Sequence, residues 1–264
     1  MNSDLFKDYV VQFVDTIITH QEAYTFIRKN KLWEGFWKYG WVSRLFIGLA
    51  ILMGLKFVLI FIDWLDQFRT VSTANTLVEM KHLMGNIAFE SYNFLFVGGL
   101  KYVMLILLEV LIFHICRRTL EILTGESSDL TFKVFLKAQI RMIKVVIRCF
   151  IMEMIFTILI KIAFGIFGVF DFLEPIAIFS VQCYFLGLLL MDNYNEQFHL
   201  SIKESLKYAK PFIGVSFALG LVLNLLLMVP FIGAIIGPVI GAVTVTLVMY
   251  RLSDLHLRVK GISI

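Results

Sequence analysis

Residues 226–241 read LLMVPFIGAIIGPVIG and contain no charged or polar side chain. A turn in water normally carries polar residues, so this Pro/Gly bend between two apolar segments predicts a tip that stays inside a membrane. Pro230, Gly233 and Pro238 are the predicted turn residues. Lipid offers no partners for backbone groups freed at a bend, so protein or a wet cavity must supply them. The stretch favours a re-entrant helical hairpin over residues 212–250, with two full crossings as the alternative.

The composition of the whole chain is that of an integral membrane protein. Of its 264 residues, 59% are hydrophobic and only 17% are charged, and the mean hydropathy is +0.84. Soluble domains average about 45–50% apolar and about 25% charged residues. A soluble domain of this size could not bury so much apolar surface, which excludes an ordinary cytosolic enzyme, a disordered chain and a collagen-like fibre. The first residues, MNSDLFKDYV, lack an apolar stretch with a cleavage site, so we expect no secretory signal.

The apolar segments predict a single all-α membrane domain. Its parts are an amphipathic surface segment at 1–44, spans at 45–62 and 94–116, a basic helix with a first hairpin over 129–191, and a second hairpin over 212–250. Residues 45–62 would cover roughly 27 Å as a helix, about one hydrocarbon core. The tip of the first hairpin, GIFGVFDFLEP, contains Asp171 and Glu174 and is therefore expected to be wetter than the second.

Five cations recur at helical spacing near the start of the first hairpin. They are Lys133, Lys137, Arg141, Lys144 and Arg148, spaced 4, 4, 3 and 4 residues apart. This spacing places all five on one stripe of a helix. We expect a basic amphipathic helix at the membrane surface, with its cations facing phosphates or water and with no specific ligand. The helix is predicted to continue into the apolar stretch 149–168.

The distribution of cations predicts the orientation. Residues 1–44 hold six Lys and Arg and residues 117–148 hold seven, whereas residues 63–93 hold only Arg69 and Lys81. Cytoplasmic loops carry the excess of Lys and Arg in membrane proteins. We therefore expect the protein in the inner (plasma) membrane, with both termini in the cytoplasm and residues 63–93 on the other side.

Ionisable and amide side chains inside apolar segments are the candidates for a pore or a hairpin core. They are Lys101, Glu109, Glu153, Lys161 and Asn224. Such residues are costly in lipid and usually face a cavity or a partner. Lys101 and Glu109, like Lys161 and Glu153, are eight residues apart, which is too far for a direct pair, so we expect partners on other helices. Snorkelling is the alternative for Lys101, and a hydrogen bond between helices is the favoured role for Asn224.

The C-terminal part of the chain resembles the CysZ family, which includes the etoposide-induced membrane proteins. The resemblance rests on MDNYNEQFHLSIKESLKYAK at 191–210, on the apolar stretch 212–247, on KLWEGFWKYGWVSRLF at 31–46 and on LEILTGE at 120–126. It covers most of residues 22–252. The family resemblance implies two full spans, two partly penetrating hairpins and an oligomer.

The resemblance also implies a function and a binding site. Members of the CysZ branch are sulfate-permeable, and their anion lies near the start of the first span, at a Gly followed by an apolar residue and two arginines. The matching positions here are Gly40, Ser43 and Arg44, with one arginine in place of two. A helix beginning near Ser43 would offer free N–H groups to an oxyanion, and Arg44 a charge-assisted hydrogen bond. An ordinary capped helix start has the same sequence.

These observations lead to one expected function and one alternative. We expect a permease or channel for a small inorganic anion, sulfate-like by resemblance, with the lipid bilayer and a second copy of the chain as partners. The alternative is a membrane organiser that transports nothing. The sequence contains no motif of an enzyme, of a cofactor or metal site, or of nucleic-acid binding, so none of these is expected.

Overall fold

The computed structural model describes residues 3–34, positions 44 and 48, and residues 100–126, 132–167, 171–227 and 232–259. Its helices are α1 (Ser3–Asn30), α2 (Leu100–Thr124), α3 (Phe132–Phe167), α4 (Glu174–Glu196), α5 (Ile202–Ala209), α6 (Ile213–Leu227), α7 (Ile232–Leu252) and α8 (Leu255–Val259). Of the described chain, 92% is helical and no part is a strand. The predicted all-α class is confirmed.

Within the described residues, four helical stretches are long and apolar enough to cross a membrane. They are Lys137–Ile166, Glu174–Glu196, Ile202–Leu227 and Ile235–Leu252. Four such helices fit a membrane protein, as the composition predicts. The predicted span 45–62 lies outside the described residues. The predicted span 94–116 is described from residue 100 onward, where it forms most of α2.

Both predicted hairpins contain helices at the expected places. Helix α3 runs without interruption over 36 residues, so the basic segment continues into the apolar stretch as predicted. Two of the three predicted turn residues of the second hairpin, Gly233 and Pro238, lie inside α7 instead. Pro230 lies outside the described residues. Helices buried among others tolerate proline because neighbouring groups satisfy the freed carbonyl.

Helices α2 and α7 run parallel to each other. The Cys116 thiol donates a hydrogen bond to the Ala242 carbonyl (3.5 Å), and the Tyr250 hydroxyl donates to the Leu123 carbonyl (3.5 Å). The residue numbers rise together along both helices. Their C-termini therefore lie at the same end of the bundle.

Helices α3 and α4 run antiparallel. Arg141, early in α3, contacts Asp192, late in α4, while the rings of Phe156 and Phe185 lie 5.9 Å apart farther along. One end of the bundle therefore holds five helix termini. They are the C-termini of α2, α4 and α7 and the N-termini of α3 and α6. We call this the basal end. Each hairpin leaves and returns there, which is also where the predicted cytoplasmic cations lie.

The closest helix pair in the bundle is α4 with α6. A Cβ added at Gly187 would lie 1.7 Å from the Ser216 carbonyl oxygen, and one added at Gly220 would lie 1.6 Å from the Cys183 carbonyl oxygen. Each glycine thus receives a carbonyl of the opposite helix where any side chain would collide. Small residues at helix contacts are typical of packing in membranes, where close backbone approach replaces the hydrophobic effect.

Helix α1 packs across α6 and α7. Thr16, Thr19 and Ala23 are buried against the bundle, and the rings of Phe13 and Phe217 lie 6.0 Å apart. The outward side of α1 is also apolar: it exposes Phe6, Val10, Val11, Val14 and Ile18. This predicted helix is confirmed, and its place at the membrane surface stays a prediction.

Candidate functional site

A group of charged and amide side chains lies inside the bundle near its basal end. We call it the Arg141 cluster. It comprises Glu109 from α2, Arg141 from α3, and Asp192, Asn193 and Glu196 from α4. Charged groups in an apolar helix bundle are costly and are usually functional, which makes this cluster the candidate site.

Arg141 is held by an ion pair with two points of contact. Its Nη2 donates to Asp192 Oδ1 at 2.8 Å, and its Nε donates to Asp192 Oδ2 at 3.4 Å. Nη1 donates to the Leu200 carbonyl, and Nε lies 3.7 Å from Glu196 Oε2. The Arg141 side chain is 15% exposed and that of Asp192 only 1%. This fork geometry restrains α3, α4 and the turn after α4 together.

The position of Arg141 corrects the prediction that the whole cationic stripe faces phosphates or water. Lys137, Lys144 and Arg148 are exposed as predicted, whereas Arg141 turns into the protein. At 100° per residue, Arg141 lies about 80° from Lys133, at the edge of the stripe nearest the buried face of α3. That geometry gives one of the five cations a partner on α4. The side chain of Lys133 lies outside the described residues.

Asp192 and Glu196 were not predicted as site residues. They lie one helical turn apart at the end of α4, so both carboxylates face the same way. The signal in the sequence is an acidic pair at i, i+4 at the end of an apolar helix. The packing of α3 against α4 decides which of the five cations meets this acidic pair.

Glu109 and Asn193 pair deeper in the bundle. Asn193 Nδ2 donates to Glu109 Oε2 at 3.3 Å and to the Leu189 carbonyl at 3.2 Å. Glu109 is 1% exposed. Glu109 Oε1 and Asn193 Oδ1 are buried and have no hydrogen-bond partner among the described residues. The prediction that Glu109 needs a partner from another helix is confirmed.

The remaining predicted polar residues lie apart from the cluster. Glu153 is buried and accepts a hydrogen bond from the Tyr102 hydroxyl on α2, again a partner on another helix. Asn224 is buried, and its Nδ2 lies 3.3 Å from Cys183 Sγ, so it joins α6 to α4 as favoured. Lys161 is exposed on α3 and does not line the described core. The side chain of Lys101 lies outside the described residues.

The predicted anion site is only partly described. Gly40 and Ser43 lie outside the described residues, and Arg44 is in helical conformation with an exposed side chain. The predicted anion site stays a prediction.

An open groove lies at the basal end beside the Arg141 cluster. Its volume is about 920 Å³, and its walls include Leu200, Lys207, Tyr208 and Asp254. The Tyr208 hydroxyl donates to Asp254 Oδ1 at 2.5 Å. Leu200 lines this groove while its carbonyl accepts a hydrogen bond from Arg141. Leu200 therefore contacts both the groove and the Arg141 cluster.

No family model matches the chain, and no curated protein or solved structure matches it either. The resemblance to the CysZ family therefore rests on the quoted sequence stretches.

Proposed function

We propose that this chain is a membrane permease or channel for a small inorganic anion of the sulfate type. The observation that supports passage of an ion is the Arg141 cluster, a set of charged groups enclosed by apolar helices. Such groups reduce stability in a bundle meant only to sit in lipid, and they are commonly retained where a solute passes or charge moves. An open groove lies next to the cluster at the basal end, with Leu200 in its wall.

The choice of an anion rests on the resemblance to the CysZ family and on Arg44. Because Asp192 and Glu196 already neutralise Arg141, that guanidinium is not the proposed anion ligand. Arg44, with Gly40 and Ser43, remains the proposed site, at the start of the first predicted span. The proposed partners are the bilayer, the small anion and further copies of this chain.

In the proposed topology, the protein lies in the inner (plasma) membrane with two spans and two hairpins. Both termini lie in the cytoplasm. In the second hairpin, the continuous helical stretch Ile202–Leu227, which includes α6, has 26 residues and is long enough to cross. The re-entrant form of this hairpin is proposed from the uncharged Pro/Gly bend at residues 226–241. In the first hairpin, α3 and α4 have 36 and 23 residues and are long enough to cross.

A membrane organiser is the second candidate, and the surface of α3 favours it. Only 11% of the most apolar stretch of α3 is buried within the described protein, against 50–61% for the other three candidate spans. Ile151, Ile158 and Ile162 are among its exposed side chains. A broad apolar helix face can hold a second protein in the bilayer as well as lipid.

Uptake of radiolabelled sulfate into proteoliposomes tests the permease. Vesicles with the full chain should accumulate sulfate above empty vesicles, and Arg44→Ala should lower uptake. Lys29→Ala is the matched control, since Lys29 is an exposed cation of α1 and should not matter. Uptake equal to empty vesicles for sulfate and for several other oxyanions would exclude the permease. An intact oligomer that fails to transport but captures a membrane partner would favour the organiser.

Cysteine labelling tests the orientation. The three native cysteines are buried, so an introduced thiol reports alone. Lys203→Cys, on the exposed side of α5, should react with a membrane-impermeant maleimide only from the cytoplasmic side. Lys161→Cys is the control, because a thiol within the bilayer should stay unlabelled from both sides. Labelling of Lys203→Cys from outside intact cells would reverse the proposed topology.

A further inference from the structure

The Arg141 cluster contains more acidic groups than basic ones. Arg141 faces Asp192 at 2.8 Å and Glu196 at 3.7 Å, and Glu109 adds a third carboxyl. With all three ionised, the cluster would carry an excess of two negative charges inside an apolar bundle. Uncompensated buried charge is strongly unfavourable, so another positive charge has to be present.

Among the described residues, the elements packed around Glu109 bring no second cation to it. Helix α3 contributes Arg141, helix α4 contributes Asp192 and Glu196, and α2 itself contributes the Cys116 thiol. The only ionisable residues of α7 are Tyr250 and Arg251, both in its last turn. Arg251 pairs there with Asp15 and Glu22 of α1.

The hydrogen bonds around Glu109 indicate what the missing positive charge is. Asn193 Nδ2 donates to Glu109 Oε2, which leaves Glu109 Oε1 and Asn193 Oδ1 without partners. In an ionised glutamate both of these oxygens are acceptors and cannot bond to each other. A proton on Oε1 turns one of them into a donor, and the acid and the amide can then form a cyclic pair with two hydrogen bonds.

A metal ion fits this place less well than a proton. Within the described part of the chain, no group of three or more His, Cys, Asp or Glu side chains is arranged to hold a metal ion. A hard cation in protein needs about six oxygen ligands, and here the buried unpaired oxygens next to Glu109 are its own Oε1 and Asn193 Oδ1.

We propose that Glu109 is a proton-binding site, a neutral carboxylic acid paired with the Asn193 amide in the folded protein. Glu196 of the same cluster is 12% exposed whereas Glu109 is 1% exposed, so the proton reaches Glu109 from the side of Glu196. With Glu109 neutral, the excess falls from two negative charges to one, shared by Asp192 and Glu196 around Arg141. Proton binding at Glu109 can be measured without any transport, so its test is independent of the sulfate assay.

Infrared spectroscopy of the full chain in lipid tests the proposal. In D2O at neutral pH, the wild-type protein should show the C=O stretching band of a protonated carboxyl, and Glu109→Gln should lose one carboxyl's worth of that band. Glu204→Gln is the matched control: Glu204 is an exposed carboxyl whose hydrogen bonds cap α5, so its removal should leave the band unchanged.

A second variant keeps the test decisive where Glu109→Gln does not fold. Asn193→Ala retains the acid but removes its amide partner, so the band should move to higher frequency as the carboxyl loses its hydrogen bonds. Absence of the band in the wild-type protein, or a band that neither variant changes, would show that Glu109 is ionised. Either result overturns the proposal, whatever the outcome of the sulfate assay.

Discussion

Replacing Arg141 by methionine should destabilise this protein far more than replacing the next cation of the same helix. Arg141→Met keeps an unbranched side chain of similar length but removes the guanidinium. Asp192, at 1% exposure, then has no cation, and the Leu200 carbonyl loses its donor. Lys144→Met is the control, because Lys144 belongs to the same stripe and is exposed.

The size of the effect follows from what is left behind. Breaking a buried ion pair by removing one partner costs about 3–5 kcal/mol, because the other charge stays buried and unpaired. At about 1.4 kcal/mol per factor of ten, 3 kcal/mol lowers the folding equilibrium constant more than a hundredfold. Lys144→Met should stay within about 0.5 kcal/mol of the wild type. Asp192→Asn should cost less than Arg141→Met, since Glu196 still faces the guanidinium at 3.7 Å.

The measurement is an unfolding titration with SDS in mixed micelles, followed by tryptophan fluorescence. The double variant Arg141→Met with Asp192→Asn should be more stable than Arg141→Met alone, because it leaves no unpaired aspartate. The reasoning is refuted if Arg141→Met and Lys144→Met have the same midpoint. It is also refuted if the double variant loses the sum of the two single losses.

Three further outcomes follow from other parts of the structure. Gly187→Ala and Gly220→Ala should each lower the unfolding midpoint sharply, because the new Cβ would lie 1.7 Å or 1.6 Å from a backbone carbonyl oxygen. Gly165→Ala is the control and should not lower the midpoint, since nothing lies within 4 Å of its Cβ. Ser201→Ala should cost about 1 kcal/mol in the same titration by removing one half of a capping box, and Ser201→Asp should restore most of it. Burial lowers the pKa of His20, so the neutral ring is favoured in the folded state. The stability of the protein should therefore decline as the pH falls below about 6.5. In thermal melts at several pH values, His20→Gln should reduce that decline.

The helices could be predicted because their signals lie within single segments. Apolar runs long enough to span lipid, and a cationic stripe that leads into one of them, identify α3, α4, α6 and α7 from local sequence alone. Pro230 lies outside the described residues, whereas Gly233 and Pro238, also predicted as turn residues, belong to α7. Proline and glycine mark turns in water, and within a packed membrane helix they can serve packing instead.

The partners within the site could not be predicted in the same way, because they depend on how helices pack. Glu109 and Glu153 were recognised as ionisable residues in apolar segments, yet their partners Asn193 and Tyr102 come from helices far away in the chain. In the sequence, Arg141 resembles the other four cations of its stripe. Only the rotation of α3 against α4 decides which of the five meets Asp192.

The contact between α4 and α6 constrains how this protein can move. Each helix places a carbonyl oxygen in the hollow above a glycine of the other, so sliding or rolling along their common axis would drive backbone into backbone. We therefore expect α4 and α6 to move together as one rigid unit. Any movement of α3 away from this unit at the basal end has to break the Arg141–Asp192 ion pair.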